Sequence, residues 1–406
     1  MADEMAGHSG NGNGNKSGGH NGSPLATATE IVVAGRDPGR FDGFVNVPVV
    51  RGSTVLSPTV ADMEGHTGRY SYGRRGSPTL EGLETALTKL EGGAGVVLTP
   101  SGLSAVGLAL LAVLDAGDHL LMVDSVYQPS RRICTAQLRR LGIATTFYDP
   151  LVGGDIAGLF RENTRAVFME SPGSQSFEMQ DVPAIVAAAR ARGITTLMDN
   201  TWATPYFFRP HDFGVDVSLQ AGTKYLGGHS DLNLGTISAN DALWPRVKGA
   251  YGDLGITVAP EDAFLAARGL RTMAVRLERH QESALTVARW LAARPEVLNV
   301  LHPALPEHPG HAIWKRDFKG SSGLFSIILK PAPKSAVDAF LDSLELFGLG
   351  YSWGGFESLA IPFDCSTYRT ATQWTPGGPA VRLHIGLEDP ADLIADLEQG
   401  LAKLAQ

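Results

Sequence analysis

Beyond residue 75 the chain alternates short, wholly apolar runs with longer stretches in which apolar residues return every three or four positions. "GVVLTP" leads into "SAVGLALLAVL", "HLLMVD" into "PSRRICTAQLRRLG" and then "ATTFYDP", and "RAVFMESP" into "VPAIVAAARARG"; "TTLMDN" and "VDVSLQAG" complete the series. Runs apolar at every position are buried on both faces, and intervening helices supply the cover, so the pattern predicts a mainly parallel sheet. We expect this α/β domain to occupy residues 76–256. Near its start, Leu80, Leu83, Leu87 and Leu90 fall on one helical face that stops at Gly92-Gly93. A long helical stretch from "EDAFLAARGL" to "WLAARP", the strands "GLFSIILK" and "VRLHIGLE", and helices near "KSAVDAFLDSL" and "PADLIADLEQGL" predict a smaller α/β domain over residues 257–406. No internal repeat is apparent.

Residues 29–75 behave differently. Their runs "IVVAG", "FVNVPVV" and "STVLSPTV" are broken by Gly, Pro and Arg without a helical period, which predicts an extended arm. Residues 1–28 are dominated by Gly, Asn, Ser and His and bury too little apolar surface to offset the entropy of ordering, so a disordered tail is expected there. His8 and His20 lie in that tail and make a poor metal site, and no metal is expected.

Composition narrows the classes. A chain of 406 residues that is 43% hydrophobic can fill more than one core, and a net charge of -8 offers no general basic surface for a phosphate backbone. Nucleic acid is therefore not an expected partner. "GLALLAVLDAGD", the most apolar stretch, is interrupted by Asp115 and Asp118, so no membrane span is expected. Cys134 and Cys365 form no ligand or redox spacing, which suits a reducing, cytoplasmic setting.

In parallel sheets covered on both faces, ligands bind beyond the carboxyl ends of the strands. Reading those ends in order, Ser101-Gly102 begins a helix and could seat a phosphate on free N–H groups, although an ordinary capped helix start looks the same. Tyr127 offers a flat ring for stacking or, equally, an amphipathic packing residue. Glu170, Ser171 and Pro172 form a turn without assignable chemistry. Asp199 is either a helix cap or the partner of a buried cation. Lys224 follows "VDVSLQAG", where lost hydration would lower its pKa and make it a nucleophile for a carbonyl; the alternative is a lysine that snorkels to water. A phosphate seat, a ring stacker, an anion and an amine at one sheet edge are the parts a pyridoxal phosphate (PLP) site requires.

The segment "AGTKYLGGHSD" resembles the cofactor-lysine motif of the PLP-dependent Cys/Met-metabolism enzymes. The resemblance continues through "YGRRGSPT", "LEGGAGVVLTPSG", "MDNTW", "ARGLRTMAVRL", "YSWGGFESL" and "RLHIGLED", nearly the whole chain after the tail. Within that family, "YSWGGFESL", "YQPS" and "HPALPEHPGHAIWKRDFKGSSGLFS" are more similar to the bacterial β-lyases than to the γ-synthases and γ-lyases.

The resemblance implies a PLP-dependent transferase-like fold of the aspartate aminotransferase type (fold type I) and a homotetramer built from two dimers with shared sites. It implies that Lys224 binds PLP covalently, Asp199 pairs with the ring nitrogen, and Tyr127 stacks on the ring beside the substrate. Gly102, Leu103 and Thr223 would hold the phosphate from one chain, and Tyr72 and Arg74 from the other. Arg382 would take the substrate α-carboxylate, with Ser352 and Trp353 lining the site. Ala221 departs from the serine of many members, and Leu103 from their methionine. The implied activity is β-elimination from L-cystathionine in methionine biosynthesis. Its rivals are a broad cysteine-conjugate or cystine β-lyase, a γ-lyase or γ-synthase, and a non-catalytic PLP-binding regulator.

Overall fold

The computed structural model describes residues 24–405; of the disordered tail expected over residues 1–28, the part over 1–23 lies outside the described residues. Eleven strands among the described residues form two sheets. The larger has the order β1 (Gly95–Thr99), β7 (Gly235–Ala239), β6 (Val217–Ala221), β5 (Thr195–Asp199), β4 (Thr164–Glu170), β2 (His119–Val123) and β3 (Ala144–Tyr148). All neighbours from β6 to β3 are parallel, and β7 runs antiparallel to both β1 and β6. The sheet is thus the mainly parallel one expected, with one strand the pattern did not reveal. "GTISA" is short and built largely of small residues, so it carries little apolar signal of its own despite being fully buried.

Strands β1, β2 and β7 are buried at every position, as expected of a sheet covered on both sides. Helices Pro78–Glu91, Gly102–Val113 and Val182–Arg190 coincide with the predicted ones, and the first ends at Gly92 with φ +76°. The smaller sheet is antiparallel throughout, in the order β10 (Leu359–Phe363), β11 (Ala380–His384), β9 (Leu324–Leu329), β8 (Val297–Leu301). β8 and β10 escaped the sequence reading because both are only partly buried and so lack a continuous apolar run.

The long helical stretch is two helices, Pro260–Arg271 and Met273–Ala292, interrupted at Thr272. The second joins two cores: Met273, Ala274 and Leu277 pack under the large sheet, whereas Ala284, Val287, Ala288 and Leu291 pack under the small one. We propose residues 256/257 as the domain division, with this helix shared between the two cores.

The arm is less extended than expected. Helix Thr27–Val33 buries Ile31 and Ala34, and Arg271 Nη1 donates to the carbonyls of both residues at 2.8 Å, satisfying the helix end. β-Branched Ile31, Val32 and Val33 disguise this helix in the sequence; packing and the arginine override their weak helical preference. Among the described residues, no helix is long and apolar enough to cross a membrane.

Candidate active site

The ends of β1, β2, β4, β5 and β6 open onto a cavity of about 390 Å³, closed on the far side by residues of the smaller domain. At one wall Ser101 caps helix Gly102–Val113. Its Oγ accepts from Ser104 N at 3.1 Å, and Ser104 Oγ accepts from Ser101 N at 3.0 Å. This reciprocal cap fixes the helix entry, and the first turn of the helix faces the cavity. A Cβ placed on Gly102 would lie 2.5 Å from the Ala221 Cβ. Any side chain at residue 102 would collide with residue 221, so the helix start needs glycine; nothing in this contact explains alanine in place of serine at 221.

Asp199, at the end of β5, accepts from Thr201 N at 2.9 Å and from Thr201 Oγ1 at 2.6 Å, both on Oδ1. Thr201 Oγ1 in turn accepts from Ala221 N at 2.8 Å, so the carboxylate is held by the neighbouring strand. Oδ2 has no protein partner among the described residues, and Asp199 lines the cavity. Burial raises its pKa, while the Thr201 donors and the charge of Lys224 pull the other way. Asp199 is not a helix cap, since the next helix begins only at Thr204; it bonds the backbone two residues on and leaves Oδ2 open to the cavity.

Lys224 follows β6 and its Nζ donates to Ser352 Oγ at 2.9 Å, 5.4 Å from the Trp353 ring centroid. Burial foremost, then the positive charge of Arg382, lowers its pKa to about 8 from 10.5, against a smaller opposing pull from Asp199. The lysine does not snorkel away. Gly354, with φ +83°, allows the 351–355 loop to lie on the lysine backbone, where a Cβ would meet Tyr225 N at 2.9 Å. Arg382, central in β11, donates through Nη2 to the carbonyls of Tyr351 (3.0 Å) and Ser352 (3.2 Å). Burial lowers its pKa to about 10, so it stays charged at neutral pH, with guanidinium edges left for an anion.

Tyr127 and Leu103 line the same cavity, 48% and 39% exposed. Thr223 lines it too, but its hydroxyl is engaged by Leu234, accepting from the amide at 3.0 Å and donating to the carbonyl at 3.2 Å. Tyr72 and Arg74 are not among the residues lining this cavity; Arg74 donates to Gly252 O at 3.0 Å instead.

Two acidic residues were missed as site components. Glu170 stands beside Asp199 in the β4–β5 register, and its Oε2 accepts from Tyr127 N at 2.8 Å, positioning the tyrosine. Burial and then the Asp199 charge push Glu170 far above the carboxylate range, toward the neutral form. Asp124, after β2, accepts from Arg131 Nη1 at 2.8 Å and from the amides of Thr370, Ala371 and Thr372 at 2.8–3.2 Å. It thereby straps a loop of the smaller domain across the site. Only the strand-end position of these acids was visible in sequence; their partners lie far along the chain.

A PLP molecule fits these residues. An amine of lowered pKa, an open oxygen on a buried carboxylate, a ring at the cavity wall and a helix start that tolerates no side chain at its first residue converge on one space.

Comparison with known proteins gives the same answer. The family model for the Cys/Met metabolism PLP-dependent enzymes matches residues 28–402. A putative cystathionine beta-lyase of Rhizobium johnstonii is 53% identical over 92% of this chain and 95% of its own length. The cystathionine beta-lyase MetC of Escherichia coli is 45% identical over 93% and 98%, respectively. Cystathionine gamma synthase from Xanthomonas oryzae, solved with aminoacrylate and cysteine, superposes with a TM-score of 0.87 at 36% identity, covering 94% of this chain and 99% of that one.

Proposed function

Because the chain belongs to the Cys/Met metabolism PLP-dependent enzymes, we propose that it cleaves L-cystathionine by β-elimination to L-homocysteine, pyruvate and ammonia. The observation that carries this reading is Lys224, with its pKa lowered to about 8, held by Ser352 between Asp199 and Arg382.

Bound PLP supplies the electron sink for the carbanion formed when the substrate α-proton leaves. Asp199 would hold the cofactor through Oδ2 and supply a negative charge to it, because Thr201 occupies Oδ1. Arg382 takes the substrate α-carboxylate in its guanidinium fork and so fixes which bond faces Lys224. The Lys224 side chain, which would hold the cofactor until substrate binds, removes the substrate α-proton, with Ser352 and Trp353 limiting where Nζ can swing. The ammonium so formed gives its proton to the departing sulfur. Tyr127, anchored through Glu170, would pack against the cofactor. The three-carbon fragment leaves as 2-aminoacrylate and hydrolyses to pyruvate and ammonia. Gly102, Leu103 and Thr223 would seat the phosphate, Thr223 through whatever bonding capacity Leu234 leaves.

We propose further that Tyr72 and Arg74 complete the site of a second chain within a homotetramer. Two features support this: neither lines its own cavity, and the arm carries apolar residues open to solvent, Leu56 (87% exposed) and Phe44 (74%). The cytoplasm is proposed on two unpaired, buried cysteines, Cys134 and Cys365.

The test is product identity. Incubation of the holoenzyme with L-cystathionine should release pyruvate and homocysteine in equal amounts; α-ketobutyrate with cysteine would assign γ-elimination and overturn the reading.

A further inference from the structure

Just past the end of β4, Ser174 and Gln175 line the cavity, together with Tyr368 of the smaller domain. Gln175 has φ +67°, a left-handed conformation uncommon for a residue other than glycine. Its surroundings over-determine it. Ser326 Oγ donates to its carbonyl at 2.7 Å, and its side-chain Oε1 faces two donors, the Tyr368 hydroxyl at 3.2 Å and the Cys365 thiol at 3.8 Å. Arg369, next to Tyr368, pairs with Glu178 at 2.6 Å, and Asp124 holds Thr370, Ala371 and Thr372, so the loop that orients the amide is tied down immediately after Tyr368.

With Oε1 accepting from Tyr368, Nε2 of this cavity-lining residue is left to donate. It donates to no described residue, and it is not among the buried atoms lacking a partner. A planar amide fixed by its oxygen aims two N–H donors along a set direction. The cavity at that point is therefore suited to an acceptor.

We propose that Gln175 is the specificity residue for the distal end of the substrate, donating from Nε2 to the carboxylate of the homocysteinyl half. This rests on the β-elimination reading and deepens it. The chemistry at Lys224 requires only the cysteinyl half, so a second polar contact across the cavity is what separates a long dicarboxylic thioether from a simple S-alkyl cysteine.

Two variants test it, each assayed on L-cystathionine and on S-methyl-L-cysteine, which lacks the distal group. Gln175→Glu keeps an oxygen for Tyr368 and Cys365 and replaces only the donor; Gln175→Leu removes both. For each, kcat/KM on L-cystathionine should fall by about tenfold to hundredfold, as expected for loss of a hydrogen bond to a charged group, mainly through KM. Activity on S-methyl-L-cysteine should change by less than about twofold, and serves as the control for folding. Equal losses on both substrates would make Gln175 merely structural. Unchanged activity on both, or improved cystathionine turnover in Gln175→Glu, would show that the amide does not meet a carboxylate. A wild-type enzyme that acts on S-methyl-L-cysteine but leaves L-cystathionine intact would overturn both the distal contact and the underlying reading.

Discussion

Replacing Lys224 by alanine should lower pyruvate formation from L-cystathionine roughly 10⁴-fold or more, because one amine both carries the cofactor and moves the proton. The visible absorbance of the bound cofactor should disappear with it, while the fold persists, since Nζ contributes a single hydrogen bond to Ser352. The same lysine predicts a pH dependence. Only the neutral amine attacks a carbonyl, and a pKa of about 8 leaves far more of it at neutral pH than an ordinary lysine would. Stopped-flow loading of the apoenzyme should speed up by roughly tenfold per pH unit below pH 8 and level off above it. An alanine variant with wild-type pyruvate formation would remove Lys224 from the chemistry.

Asp199→Asn should reduce kcat by roughly 10²–10³-fold, the scale associated with losing one preorganised electrostatic group. The amide oxygen can still accept from Thr201 N and Oγ1, so the local structure has what it needs, and cofactor absorbance should survive through Lys224. The charge facing the ring nitrogen is what disappears. Steady-state assays beside a thermal melt separate the two effects; full turnover in this variant would show that no anion is needed there.

These two residues were legible in the chain because each lies at the end of a contiguous apolar run, where local pattern alone locates a strand mouth. Gly102 was legible for the same reason, at a strand-to-helix junction. Glu170 occupies an equivalent place yet read as a plain turn, since its significance comes from Asp199 on the adjacent strand and from Tyr127 N, 43 residues earlier. Asp124 and Thr370 are 246 residues apart, and Gln175 and Tyr368 are 193 apart, so no local periodicity connects them. Arg382, Ser352 and Trp353 came forward only through resemblance, because the strand register and loop path that bring them to Lys224 are tertiary facts. The same limit explains the fold: buried parallel strands declared themselves, whereas small-residue β7 and the partly exposed β8 and β10 did not.

The central claim, that Lys224 is the residue that holds PLP at this site, is tested most directly by borohydride reduction of the purified holoenzyme, proteolysis and mass mapping of the pyridoxyl group. The modification is expected on Lys224, within the peptide containing "AGTKYLGGHSD". A pyridoxyl group on any other lysine, with Lys224 unmodified, would contradict the account.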